Sequence, residues 1–524
     1  MRRILSIACA VAALACGSVK DRQACGVSTE CPVGQYCAHA DGESRCWEDA
    51  VDPVVQTVTA SCPAATCLRD GVLHVEATVG DDAEVLDAAV ALDLAPGSPV
   101  PMTRSGTRWV ADVQLRAFPF AAFSRNVVAT VTARDGARND SAPRSAAALG
   151  VTRLRWTYDA GAPITSPAVM DDGTAVVGVS ATANQLRAIA PDGSLAWSLS
   201  VGGSSFVTAA PAVGDNAIWV GSEDLNLYGV ELDGSAVKAG VGVNTGGALK
   251  GSVAVLPDVG KEWAFATSDA GFIGVASTVS NENDLVGPTT AFSVGPVVGL
   301  DGRAYAGTAA GSLGAYRLTT SPAVTLSEAW RVPVGVEVAS PLAIDSDGSI
   351  WSGAVEKLTK TVPGDTSGTA NVVATLPARI VDSPVILANG DVLVGDQVGV
   401  LHRFTPSGAS VWSSANLGAA IHAVSLLSGG GAAIVVPTAG GKLFALRDDG
   451  SEVWSTTLDA AKALRAPNIF TTPGQTSNVI STAYVASSSG KLFAVIVDGQ
   501  LDTAAPWPKA FHDPRNTNHA GPQP

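Results

Sequence analysis

Cysteine is missing from this 524-residue chain after Cys67, so nothing beyond that point can be held by a disulfide or built around paired thiols. Charge is also scarce. Only 15% of residues are charged, and acidic side chains outnumber basic ones by 48 to 33. A formal charge of −15 repels phosphate backbones and anionic headgroups, which argues against nucleic-acid binding through a basic stripe. Lys- and Glu-rich amphipathic helical stretches are few. There is no Gly-x-Ser-x-Gly elbow, no His-Glu-x-x-His and no P-loop, motifs that would place a nucleophile, a zinc pair or a phosphate cradle. No residue is therefore named as catalytic, cofactor-binding or metal-ligating, and no cofactor is expected. What is plentiful is Gly (55) and Pro (30) beside Val, Ala, Ser and Thr, the material of short strands and tight turns. The composition reads all-β.

The N-terminus looks like an address. Arg2 and Arg3 precede Ile4 to Ala15, an apolar run of 12 residues that is too short to span a bilayer but suits a signal-peptide core. Ala15-Cys16-Gly17-Ser18 resembles the lipobox of bacterial lipoproteins, although Ala13 and Leu14 depart from the usual residues there. That resemblance implies cleavage after residue 15, lipidation of Cys16, a tether over 16–24, and a membrane anchored through that lipid. Gly17 after the cysteine implies an outer-membrane lipoprotein, or a cell-surface or periplasmic one, of a Gram-negative bacterium. Loss of Arg2 and Arg3 would take the charge to −17.

Six cysteines remain: Cys25, Cys31, Cys37, Cys46, Cys62 and Cys67. An even set in an exported chain reads as disulfides. Residues 25–48 hold four of them with almost no apolar material, and their spacings lack the close pairs of zinc sites. Three pairings are open. The stretch Cys31-Pro-Val-Gly-Gln-Tyr-Cys37 resembles the dickkopf-type cysteine-rich motif. Residues 53–150 alternate in short strands, such as Val54–Thr59, Val72–Ala77, Trp109–Val113 and Val127–Asp135, which suits an immunoglobulin-like sandwich. Thr130-Val-Thr-Ala-Arg-Asp135 followed by Gly136 and Asn139 resembles a late strand of bacterial Ig-like modules. Cys62 and Cys67 are near enough to staple one loop. No constellation of polar residues is legible in this stretch.

Residues 151–524 are periodic. Ser166-Pro-Ala-Val, Ala210-Pro-Ala-Val, Ser252-Val-Ala-Val, Gly295-Pro-Val-Val, Ser340-Pro-Leu-Ala, Ser383-Pro-Val-Ile, His422-Ala-Val-Ser and Ala466-Pro-Asn-Ile recur at spacings of 44, 42, 43, 45, 43, 39 and 44. Eight starts of this size predict an eight-bladed β-propeller of four-stranded blades. Within each unit come a turn (Asp171-Asp172-Gly173, Asp301-Gly302), a Gly-x-Leu-x-Ala strand (Gly311, Gly441, Gly490) and a strand bearing a tryptophan (Trp197, Trp330, Trp412, Trp454). This grammar resembles the PQQ-like propeller family. The fifth unit departs from it, with Glu356-Lys-Leu-Thr-Lys at the Gly-x-Leu-x-Ala position. The strand near Leu154–Tyr158 is expected to pair with the last unit and close the ring, which removes open edges. The tail Trp507 to Thr517 resembles the end signature of such propellers and is the other candidate for closure.

Quinoprotein dehydrogenases share this fold, but their quinone-stacking disulfide of adjacent cysteines cannot form in a cysteine-free ring. Histidines 39, 74, 402, 422, 512 and 519 are scattered. His512, Asp513 and His519 could hold a metal, yet turn hydrogen bonding explains them more simply. The same applies to Asp171-Asp172 and Asp448-Asp449 at hairpin tips, and to Asp345-Ser-Asp-Gly, which lacks the Glu that closes an EF-hand loop. The overall plan resembles the propeller lipoprotein of the outer-membrane β-barrel assembly machinery (BamB-type), which has neither N-terminal module. The resemblance implies a non-catalytic scaffold with a protein partner. Glycan or matrix binding is the alternative, and a quinoprotein dehydrogenase the more distant one.

Overall fold

The computed structural model describes residues 22–521 except 41, 65, 83 and 339, and the side chain of 40. The expected leader and Cys16 lie outside the described residues. The described chain is almost wholly strands and turns, and no helix in it is long and apolar enough to cross a membrane. It divides into two compact units, residues up to 120 with 124–152, and residues 121–123 with 153–524.

In the first unit, a hairpin of Gln35–Ala40 and Glu43–Glu48 carries Cys37 and Cys46. Cys37 and Cys46 face each other across it but do not bond. Each reaches back to the preceding loop, giving Cys25–Cys37 and Cys31–Cys46. Cys62–Cys67 staples a separate loop. Two four-stranded sheets follow. One orders Val54–Ser61, Val72–Gly80, Arg108–Gln114 and Thr103–Ser105; the other orders Arg144–Ser145, Ala129–Asp135, Val85–Leu92 and Val100–Pro101. Period-two alternation buries Leu73, Val75 and Ala77 from the first and Ala88, Val90, Leu92, Ala129, Val131 and Ala133 from the second.

The second unit contains eight consecutive sheets, opened by Ala168–Val169, Ala212–Val213, Ala254–Asp258, Val297–Val298, Ala343–Ile344, Val385–Ile386, Ser425–Ser428 and Asn468–Thr471. The opening strand of the first sheet contacts that of the eighth. The eighth sheet takes its fourth strand from the start of the unit, where Leu154–Asp159 runs antiparallel to Lys491–Asp498. This is the ring-closing pairing expected from the sequence. The tail does not supply that strand.

Tryptophan packing shows the same closure. Trp412 donates from Nε1 to Asp448 O at 3.0 Å and lies over Gly450 of the next sheet, where an added Cβ would come within 3.1 Å of the ring. Trp156, on the closing strand, donates to Pro191 O at 2.7 Å and covers Gly193 of the first sheet in the same way. The Gly-x-Leu-x-Ala glycine is equally constrained. Gly441 has φ +85°, and a Cβ there would strike the Asp459 carbonyl. In the fifth sheet Val355 adopts φ 60° at the corresponding turn, and the strand Lys357–Pro363 still forms.

Candidate functional site

Successive antiparallel strands reverse direction, so each opening hairpin of a sheet lies at one end of the ring. The turns between second and third strands, and the connections to the next sheet, lie at the other. The tail occupies the opening-hairpin end. Its path follows the ring in order. The amide of Ile386 donates to Trp507 O at 2.9 Å and that of Leu426 to Pro508 O at 2.8 Å. Asn468 of the eighth sheet donates from Nδ2 to Pro514 O at 2.7 Å. Val169, Val213, Val255 and Val298 then donate to Pro514, Arg515, Thr517 and Asn518 carbonyls at 2.7, 2.8, 2.8 and 2.8 Å. Each opening strand has one flank paired to its own sheet, and in six of the eight the tail accepts from an amide on the other flank.

Side chains lock this path. Lys509, 1% exposed, donates from Nζ to Ala510 O, Asp513 O and Asn516 Oδ1 at 2.7, 2.8 and 2.8 Å. Asn516 donates to Pro167 O and Pro211 O, and Asn518 to Ser252 Oγ and Val253 O. Arg515 grips Asp171 through Nε at 3.0 Å and Nη2 at 2.5 Å, and reaches Asp215 through Nη1 at 2.6 Å. Asp171 therefore does more than the solvated turn duty expected of it, while Asp172 accepts from the Thr174 amide at 2.8 Å as a turn residue should. Buried Glu262 accepts from Trp219 Nε1 at 2.8 Å and from the Asp215 amide at 2.7 Å. Burial raises its pKa against the pull of these donors.

Burial pushes Lys509 down to about 7, with Asp513 opposing. A lysine with that folded value, against an ordinary 10.5, binds fewer protons folded than unfolded between the two. Its unfavourable contribution is full below pH 7 and fades as pH rises toward 10.5. Chemical denaturation at pH 6.5 and about 9.5 should show the difference, with wild type gaining stability and Lys509→Met losing that slope. Equal slopes would contradict the assignment.

Burial alone would raise the Asp513 carboxyl, but His512 and Thr517 hold it below its ordinary range. His512 lies 3.5 Å from Asp513 and packs on Trp507 at 4.8 Å between ring centroids. Among the described residues, His512, Asp513 and His519 do not bring a ligand atom each to within 4.8 Å of one another. Asp345 accepts from the Ser346 amide at 2.7 Å and Asp347 from that of Ser349 at 2.8 Å, as turn residues. The remaining histidines stay apart: His39 on Ser44, His74 on Asp112, His402 on Asp396 and His422 on Asp382.

Two grooves flank the tail end. One of about 510 Å³ lies between the first and eighth sheets, with Met170, Phe470 and Leu501 beside Asp171 and Arg515. Another of about 450 Å³ lies between the third and fourth, with Asp258 and Asp301 facing Arg303 and Arg317. Hairpin tips at this end expose Val259 and Leu300, and the opposite end exposes Phe206, Val336 and Val398.

A family model described as outer membrane protein assembly factor BamB matches residues 288–518. The crystal structure of BamB from Moraxella catarrhalis superposes with a TM-score of 0.50 at 15% identity, covering 65% of this chain and 98% of that one. No curated protein matches. At that identity the likeness is one of fold. With the repeats and the closing strand, it makes the C-terminal unit a β-propeller, similar in architecture to BamB and matched over residues 288–518 by that family's model.

Proposed function

We propose that this chain is a non-catalytic cell-envelope lipoprotein, anchored through Cys16, that presents an eight-bladed propeller as a rigid platform for a protein partner in outer-membrane assembly-like work. The Ig-like sandwich and the dickkopf-type hairpin act as the spacer between lipid and ring. The observation that carries this reading is the tail. It runs along the opening strands of the ring, accepting from six of their amides, and its interlocked side chains hold the loops a partner would meet. The likeness to BamB supports the same reading.

The test uses the full chain in its native envelope with a photo-crosslinking residue at Val259 or Leu300, at Val336 or Val398, or at Val54 of the sandwich. A discrete protein adduct from one end of the ring is expected and identifies the face used. Adducts confined to Val54, or to glycan, would favour the glycan and matrix reading. Stoichiometric quinone uptake with dye reduction would overturn the non-catalytic one. Palmitate labelling should disappear in Cys16→Ala, and labelling that persists would refute the anchor.

A further inference from the structure

We propose that Asp49, Asp81 and Asp135 form a binding site for a divalent cation, calcium by its chemistry, that ties the disulfide-bonded hairpin to the end of the sandwich. Asp49 follows the hairpin strand Glu43–Glu48, Asp81 follows Val72–Gly80, and Asp135 ends Ala129–Asp135. Carboxylate oxygens from all three lie within 4.8 Å of one another. Asp135 is fully buried and Asp49 is 9% exposed.

Three carboxylates so placed repel each other, and the burial of Asp49 and Asp135 weakens solvent screening of that repulsion. Buried acids elsewhere in the chain have donors: Asp391 has Arg403 at 2.8 Å and Glu262 has Trp219. Here Oδ2 of Asp49 and both oxygens of Asp81 are sealed from solvent and accept no hydrogen bond. Burial and the nearby carboxylates of Asp135 and Asp49 raise the Asp81 carboxyl above its ordinary range, against a pull from the Asp82 amide. The other oxygens are held in place. Asp49 Oδ1 accepts from the Val51 amide at 2.9 Å. Both oxygens of Asp135 accept from Asn139 at 2.8 Å, and the Asn139 side chain also donates to Asp49 O at 3.2 Å. Asn139 thus aligns two of the three acids.

Calcium takes oxygen ligands at about 2.3–2.6 Å, so oxygens bound to one ion lie within about twice that distance of each other. The observed spacing fits. A hard, all-oxygen donor set carrying three charges suits calcium better than the nitrogen- and sulfur-seeking metals. The hairpin already packs closely here. Gly34 N donates to Ala137 O at 2.9 Å, and a Cβ on Gly136 would come within 2.8 Å of Ser28 Oγ.

The experiment is calorimetric titration of the EDTA-stripped full chain with calcium chloride, alongside thermal melts of wild type, Asp81→Asn and Asp49→Asn. Wild type should bind one calcium with Kd near or below about 1 mM and melt higher when loaded. Each variant should bind at least about tenfold more weakly. In EDTA each should melt no lower than wild type, because a repulsion has been removed. No binding to wild type at about 10 mM calcium, or undiminished binding in both variants, would overturn the proposal.

Discussion

Trp507→Ala should destabilise the ring by about 3–5 kcal/mol, the range for truncating a buried aromatic. Trp507 has no exposed surface and belongs to one buried cluster with Tyr305, Ile344, Ile386 and Val392, residues drawn from three sheets. Its carbonyl also caps the Ile386 amide. Loss of the side chain would therefore open a cavity against several sheets at once and loosen the start of the tail's circuit. Its Nε1–H is buried without an acceptor, so Trp507→Phe keeps most of the contact and removes an unsatisfied donor. That variant should cost no more than about 1.5 kcal/mol. Urea denaturation measures both, and equal losses in the two variants would show that ring packing is not the source.

Opening Cys31–Cys46 with paired Ser substitutions should cost the hairpin about 2–5 kcal/mol. Among described residues 22–49, only Ser28, Cys31, Cys46 and Asp49 are buried. Apart from cysteine sulfur there is no apolar core to retain the shape. Limited proteolysis should become rapid within 25–48, while the urea transition of the propeller stays in place. A hairpin as resistant as the wild type would show that the contacts of Gly34 and Gly136 suffice without the disulfide.

Much of the propeller was legible because its determinants are local. The Ser-Pro-Ala-Val starts mark opening strands, the glycine of Gly-x-Leu-x-Ala marks a positive-φ turn, and a tryptophan marks the strand that covers the next sheet. Leu154–Tyr158 read as an orphan fourth strand because it preceded the first start. The tail was recognisable as an end signature, but its circuit was not: its acceptors meet donors between Val169 and Asn468, and no spacing in the sequence encodes that path. The disulfide pairing was illegible for a related reason, since Cys37 and Cys46 are adjacent across the hairpin yet bond elsewhere. The acidic trio was missed altogether. Asp49, Asp81 and Asp135 each resemble an ordinary turn acid, and the sandwich region showed no polar constellation until three strand ends converged.

The sequence by itself determined the repeat, the all-β architecture, the strand that completes the last sheet and the cysteines available for cross-linking. These follow from backbone preferences and periodic burial that act over a few residues. Only the tertiary structure decided which cysteines pair, that the tail binds the opening strands at one end of the ring, and that three acids, two of them buried, come together. Those outcomes depend on distances between residues far apart in the chain, and such distances exist only once the sheets have packed.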